Sequence, residues 1–241
     1  MPIVDLHCAP DDAGRVLATM HFPKNKELRE QYVALNRITS LIKGLKETDK
    51  IEIDVKTLNH VIDAASFVKM NELCGETTKK GVIAGDILST IYLMDLFNIQ
   101  EPSMNKAIHV AQEYAKTTTY NDGTKLNTSE RMIRKYWREF MSVAHFWAAV
   151  RLNQSYTFCA YEETFSNHDN FKVFLEVSAE LLNFGCNFVP KRTRQDTTIL
   201  NRDNVWALPS DIPRRTLVSE EIPDELLKHL ETYKAPPSLS Y

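Results

Sequence analysis

The sequence predicts a mainly α-helical protein, with a single multi-helix globular domain followed by an extended, proline-containing C-terminal arm. Apolar residues recur at spacings of three and four along most of the chain, as on one face of a helix. No internal repeat and no alternation of strands with helices is visible. Six of the ten prolines lie from Pro190 onward, and no glycine occurs there. We therefore place a helical domain at residues 1–189 and the arm at 190–241, packed on the domain or on a neighbouring subunit.

The first hundred residues contain three predicted helices. Residues 24–46 and 53–73 carry apolar side chains at helical spacing. Gly75 and Gly81 are expected to bracket a polar turn. Residues 82–98 then form the most apolar helix of the chain. This segment is barely long enough to span a membrane and contains two aspartates, so we interpret it as a buried core helix.

A loop separates the next two predicted helices. The first covers 103–116, and residues 117–126 contain an Asn-Asp-Gly turn signal. The second is predicted as one long helix over 127–151. Asn127 is a suitable N-cap, and Glu130 stands three residues later, where its side chain can return to the backbone N–H of the cap.

The second half of segment 127–151 is apolar on all sides except at His145. A helix of this kind belongs in a core or an interface. We expect it to be the architectural centre of the domain, or the seam of a homodimer. A lone histidine in such a helix is usually a hydrogen-bonded core residue, so His145 is expected to pack rather than to act in catalysis.

The C-terminal third contains two further helix predictions. Residues 155–165 suit either a strand or a helix, because they are rich in aromatic and β-branched residues. Residues 168–170 are expected to cap a helix that Gly185 ends. After the arm, a short acidic helix begins at Pro223. Its apolar side consists of Leu226, Leu227 and Leu230.

Composition indicates an ordinary globular chain. Hydrophobic residues make up 43% and charged residues 25% of it, and the net charge is −3. No pair of cysteines has CxxC spacing, which favours reduced thiols in a cytosolic protein. The first residues show neither a cationic stretch nor a long apolar run, so we expect no signal peptide. The cysteines are Cys8, Cys74, Cys159 and Cys186.

The clearest functional signal is a basic face at the start of segment 127–151. At about 100° per residue, four cations fall within a band about 100° wide. They are Arg131, Arg134, Lys135 and Arg138. Segment 127–151 carries a net charge of +3 within an acidic chain. This pattern predicts a non-catalytic binding or regulatory protein that contacts nucleic acid through the basic face.

Two observations weigh against a helix-turn-helix in its standard form. The connection before residue 127 is about ten residues, whereas that motif uses a turn of three or four. The chain is also acidic overall. The alternatives are a protein-interaction module with an acidic partner, and a solvated helix face whose cations pair with Glu130 and Glu139.

A second basic cluster follows Pro190 and consists of Lys191, Arg192 and Arg194. If the arm folds back beside the basic face, the two clusters would form one electropositive surface. The arm carries as many acidic as basic residues, however, so a neutral surface arm is the competing interpretation.

No motif in the chain predicts an enzyme, a cofactor or a metal. Asp5 and His7 share the aspartate-x-histidine spacing of metal-dependent hydrolases, but neither a second HxH nor a barrel pattern accompanies them. His168 and Asp169 are better explained by a helix cap than by a catalytic pair. Phosphate-binding glycine loops, HExxH and calcium loops are all missing. An enzyme with a site unmarked by any motif is the third functional alternative.

Overall fold

The computed structural model describes residues 10–64, 67–117, 126–157, 161–188 and 222–235, and none of these residues lies in a strand. The prediction of a mainly helical domain is therefore confirmed, whereas residues 190–221 and 236–241 of the arm lie outside the described ranges. In chain order the helices are α1 (Pro10–His21), α2 (Lys26–Ile42), α3 (Val55–Asp63), α4 (Phe67–Leu96), α5 (Met104–Thr117), α6 (Glu130–Phe140), α7 (Ala144–Thr157), α8 (Tyr161–Ser166), α9 (His168–Asn187) and α10 (Asp224–Glu231).

The core is built around α7, which packs between α4 and α9. Phe146 and Trp147 of α7 are fully buried, as are Tyr92 of α4 and Phe174 of α9. The phenol of Tyr92 donates a hydrogen bond to Glu180 across the α4–α9 contact. The aromatic half of segment 127–151 is thus the architectural centre, as its composition predicted. In the described part of the chain, no helix combines the length and apolarity that a membrane span requires.

The predicted turn between Gly75 and Gly81 is wrong, because α4 continues through both residues for a total of 30 residues. The reason lies in the packing of α4 against α7. A Cβ at Gly81 would overlap the indole ring of Trp147, and one at Gly85 would lie 2.6 Å from the carbonyl carbon of Trp147. Gly81 and Gly85 therefore serve a close approach of two helices rather than a turn.

The single helix predicted over 127–151 is interrupted by a 3₁₀ turn at Met141–Val143. Its start also differs from the prediction. Ser129 occupies the N-cap position, and Asn127 Oδ1 accepts a hydrogen bond from the backbone N–H of Ser129 over 3.0 Å. Asn127 therefore closes a turn just before the helix, and Glu130 pairs with Arg134 instead of returning to the cap.

Helices α1, α2 and α3 form a layer at one end of the molecule. Helix α1, which the periodicity did not predict, packs on α4, and α2 packs on α1. A second, smaller core of Phe22, Ala64 and Met70 supports this layer. Residues 24–46 and 53–73 were each predicted as one helix; the first shortens to α2, and the second divides into α3 and the start of α4.

The C-terminal helices begin and end somewhat differently from the prediction. Asn167, one residue before the predicted caps, accepts hydrogen bonds from the backbone N–H groups of Asp169 and Asn170. Helix α9 then continues two residues beyond Gly185, which is buried. The described residues of segment 155–165 belong to helices α7 and α8, so the helical alternative holds there. Helix α10 packs on α5.

Candidate functional site

The basic face of α6 exists because the opposite face of the helix is used by the core. The buried side chains are Ile133, Tyr136, Trp137 and Phe140. Their spacing leaves the cations pointing outward. Arg131, Lys135 and Arg138 are exposed, whereas Arg134 is half-buried. The local periodicity of the sequence is thus sufficient to place these four residues on one side of the helix.

The four cations are not equivalent, because their neighbours differ. Arg134 Nε lies 2.9 Å from Glu130 Oε1, and its Nη2 donates to Asn105 Oδ1 of α5 over 2.8 Å. Arg134 therefore joins α5 to α6. Lys135 Nζ is 3.7 Å from Glu139 Oε1, a loose ion pair on the surface. Within the described residues, Arg131 forms no ion pair and is the cation most available to a ligand.

The fold adds one cation to this face that sequence reasoning missed. Lys24, in the turn between α1 and α2, donates from Nζ to the backbone carbonyl of Arg138 over 3.3 Å. No pattern in the sequence links these residues, which are 114 positions apart. Lys24 extends the basic face, which we define as Arg131, Arg134, Lys135, Arg138 and Lys24.

Several predicted residues cannot be placed against this face. Lys191, Arg192 and Arg194 lie outside the described residues, and so does the proposed Asp5–His7 pair. The adjacency of the two basic clusters stays a prediction. His168 Nδ1 and Asp169 Oδ1 are 3.7 Å apart on side chains that are mostly exposed. Both residues belong to the first turn of α9.

A second group of cations lines a cleft between α1, α2 and α3, with a volume of about 520 Å³. These cations are Arg15, Lys26, Arg29, Arg37 and Lys56. We call this feature the cationic cleft. The sequence contained a partial signal, since residues 26, 29 and 37 fall on one side of a helix at about 100° per residue. The meeting of α1 and α3 with that side is a tertiary feature.

An ion pair between a buried aspartate and a partly exposed arginine joins α4 to α7. Arg151 Nε lies 3.1 Å from Oδ1 of Asp86, a buried carboxylate. Burial raises the pKa of Asp86 to about 6, although the charge of Arg151 acts in the opposite direction. A small cavity of about 110 Å³ adjoins the pair, with Ser89, Thr90 and Glu225 in its wall. The Asp86–Arg151 pair links two core helices, and α10 covers its cavity.

His145 is buried as predicted, but its predicted hydrogen bonding is wrong. Neither ring nitrogen has a hydrogen-bond partner among the described residues, and the ring packs 4.1 Å from that of Phe146. Burial lowers the pKa of His145 to about 3. His21 is similarly buried, and its pKa falls to about 4. Both rings are neutral at physiological pH and behave as core side chains.

The titratable residues of the described ranges offer no group of three or more His, Cys, Asp or Glu side chains arranged to hold a metal ion. The thiol of Cys74 is reduced, and burial raises its pKa to about 12. It is therefore a poor nucleophile. No protein-family model matches the chain, and neither does any curated protein or solved structure.

Proposed function

We propose that this chain is a non-catalytic binding protein of the cytoplasm that contacts nucleic acid through the basic face. One observation carries the proposal: Arg131, Lys135 and Arg138 are exposed along the outer side of α6, while the inner side is anchored in the core. A rigid helix that presents cations at fixed spacing is suited to a charged polymer. Lys24 extends the basic face beside Arg138.

The spacing of these cations suits a phosphate backbone. Arg131 and Arg138 are seven residues apart, which corresponds to about 10 Å along a helix. A duplex presents about three phosphates per strand over that distance. Contacts of this kind are independent of base sequence. We therefore expect the protein to bind duplexes of any base sequence, without placing a recognition helix in the major groove. The affinity should fall steeply as the salt concentration rises.

The experiment uses the full chain and a fluorescent duplex of 20 base pairs. For three or four phosphate contacts, affinity should fall by about 40- to 150-fold between 50 and 200 mM salt. The double variant Arg131→Glu with Arg138→Glu should lose binding. Arg134 is left intact, because its contacts with Glu130 and Asn105 hold α5 to α6.

The matched control changes the charge by the same amount elsewhere. Lys50 and Lys172 are exposed and lie off α6, and the double variant Lys50→Glu with Lys172→Glu should bind like the unmodified chain. The proposal is wrong if the unmodified protein fails to bind at 50 mM salt. It is equally wrong if the α6 variant binds no more weakly than the control.

An acidic protein partner is the second candidate, and a specific observation favours it. Glu130 and Glu139 stand among the cations of α6, where they form ion pairs with Arg134 and Lys135. A surface with interspersed charges matches a protein partner better than a uniform phosphate backbone. In that case a co-purifying acidic protein should be released by the α6 variant and retained by the control, while the duplex fails to compete for it.

A further inference from the structure

We infer that the cationic cleft between α1, α2 and α3 binds a small phosphorylated organic molecule, at a site separate from the basic face of α6. The cleft has a volume of about 520 Å³. Sites for small molecules and cofactors typically measure about 300–1,000 Å³. The inference rests on three features of the cleft: its excess of positive charge, its apolar floor, and an unpartnered polar atom in its wall.

The excess charge follows from a comparison of cations with carboxylates. Among the described residues of the lining, five Lys and Arg side chains face two carboxylates, a formal charge of +3 without counting histidine, although Arg15 already interacts with another group. Arg29, Arg37 and Lys56 form no ion pair with any residue that the structure describes. A concave site in which cations outnumber carboxylates raises the local concentration of anions.

The two carboxylates of the cleft already have partners within the protein. Glu30 lies 3.9 Å from Lys26 Nζ, a loose ion pair on α2. Asp54 is the N-cap of α3, and it accepts hydrogen bonds from the backbone N–H and hydroxyl of Thr57 over 2.8 and 2.7 Å. These bonds, and less strongly the charge of Arg37, hold the pKa of Asp54 below its ordinary value. Among the described residues, neither carboxylate lies within ion-pair distance of Arg29 or Lys56, so the cleft keeps its excess of positive charge.

Ala18, Val33 and Ala34 also line the cleft, and we call them its apolar floor because Ala18 and Ala34 are buried. An inorganic anion would gain nothing from such a floor, whereas the organic body of a phosphate ester could pack on it. One arginine guanidinium group can donate two parallel hydrogen bonds to the oxygens of a phosphate. Arg29 and Arg37, both on α2, line the cleft and are available for such contacts. The combination favours an organic phosphate over a free ion.

One buried polar atom of the cleft wall has no hydrogen-bond partner among the described residues. Nε2 of His60 is buried and forms no hydrogen bond with any described residue, although Glu30 Oε2 lies 3.5 Å away. A buried polar atom without a partner costs free energy, and a bound ligand can supply the missing hydrogen bond. His60 therefore gives the cleft a position at which a ligand hydroxyl or phosphate oxygen would be fixed.

Isothermal titration of the full chain with ATP, coenzyme A and fructose 1,6-bisphosphate tests the inference, with adenosine and inorganic pyrophosphate as reduced probes. At least one organic phosphate should bind more tightly than pyrophosphate, and adenosine should not bind. Arg37→Gln and Lys56→Gln should each weaken binding by about tenfold, because each removes a charge-assisted contact. Lys172→Gln, on α9, is the control and should have no effect.

The outcomes separate this inference from the proposed function. Failure of all three organic phosphates to bind at millimolar concentration would overturn the inference, as would binding that Arg37→Gln and Lys56→Gln leave unchanged. Equal binding of citrate would show a site for carboxylates instead. If the cleft variants weaken duplex binding and the duplex displaces ATP, the cleft is part of a nucleic-acid surface and the small-molecule site is wrong. If duplex binding fails while ATP binds, only the α6 proposal is lost.

Discussion

Gly85 of α4 lies against the backbone of Trp147 of α7, so closely that a Cβ at Gly85 would be 2.6 Å from the carbonyl carbon and 2.7 Å from the N atom of Ala148. Side chains can move aside to admit a methyl group, but a helix backbone cannot move without shifting the whole helix. The α4–α7 contact is the most extensive between helices of the described chain. The two central helices can approach this closely because Gly85 has no side chain.

Replacing Gly85 by alanine should overpack the core, which usually costs about 1–3 kcal/mol. Helix propensity offsets about 1 kcal/mol of this cost, so we expect a net loss of up to about 2 kcal/mol. Urea unfolding followed by tryptophan fluorescence measures the change.

Gly75 provides the matched control on the same helix, because nothing lies within 4 Å of a Cβ built there. Gly75→Ala should stabilise the protein by up to about 1 kcal/mol through helix propensity alone. Equal effects of the two substitutions would show that α4 and α7 do not approach as closely as the structure indicates.

Arg151→Met should leave the buried Asp86 carboxylate without its partner. We expect a loss of about 1–3 kcal/mol at pH 7.5, at the lower end of the range for broken buried pairs because Arg151 is partly exposed. The loss should be smaller at pH 5, where Asp86 takes up a proton, since its pKa is about 6 even with Arg151 present. Unfolding at both pH values measures this. The double variant Arg151→Met with Asp86→Asn should regain much of the stability that Arg151→Met loses. If the losses of the two single variants simply add in the double variant, the two residues do not form a pair.

Acid should destabilise the protein through its two buried histidines. Their pKa values fall from 6.5 to about 4 in His21 and about 3 in His145. The unfolded state therefore binds more protons below pH 6.5, and each histidine lowers stability by about 1.4 kcal/mol per pH unit on acidification. Asp86 opposes this, because a pKa raised from 3.8 to about 6 makes the folded state bind the extra proton. Together these three groups should give a slope of about 1.4 kcal/mol per unit between pH 6 and 5, and the lowered pKa of His229 acts in the same direction as the buried histidines.

His145→Leu separates these contributions. With His21 and Asp86 opposing each other, the loss of stability of this variant between pH 6 and 5 should be clearly smaller than that of the unmodified protein, with the lowered pKa of His229 among the remaining contributions. At pH 7 the variant should be no less stable than the unmodified protein, because the substitution removes two buried ring nitrogens without partners. Chemical unfolding across the pH range provides the measurement. A variant that keeps the full acid slope would show that His145 is not the titrating group.

The terminal helix α10 should contribute to stability through one side only. Leu226 is buried, whereas Leu227 beside it is half-buried. Leu226→Ala should cost about 2–5 kcal/mol, or less if α10 detaches from α5 before the rest unfolds. Leu227→Ala should cost clearly less. Urea unfolding of the two variants tests the orientation of α10, which equal losses would contradict.

The candidate site could be predicted from the sequence only in part. Helical periodicity put Arg131, Arg134, Lys135 and Arg138 on one side of a helix, and the structure agrees. Periodicity says nothing about residues far away in the chain, however. Arg134 donates a hydrogen bond to Asn105, and Lys24 donates one to the backbone carbonyl of Arg138. Both contacts depend on how α6 packs against other elements.

The glycines of α4 show the same difference between what local sequence predicts and what packing decides. In a sequence without structure, Gly75 and Gly81 resemble the ends of a turn, because glycine disfavours the helix interior. In the folded protein Gly81 is a contact point for Trp147, and Gly75 has no neighbour within 4 Å of its Cβ position. Local propensity is weak enough for the packing of a long buried helix to override it.

The sequence by itself thus determined the helical class, the buried aromatic segment and the cations of the α6 face, all of which follow from contacts within one or two helical turns. The tertiary structure decided the close crossing of α4 and α7, the burial of Asp86 beside Arg151, and the assembly of the cationic cleft from α1, α2 and α3. The physical reason is that these features join side chains far apart in the chain. Their distances, burial and pKa values exist only once the helices have packed.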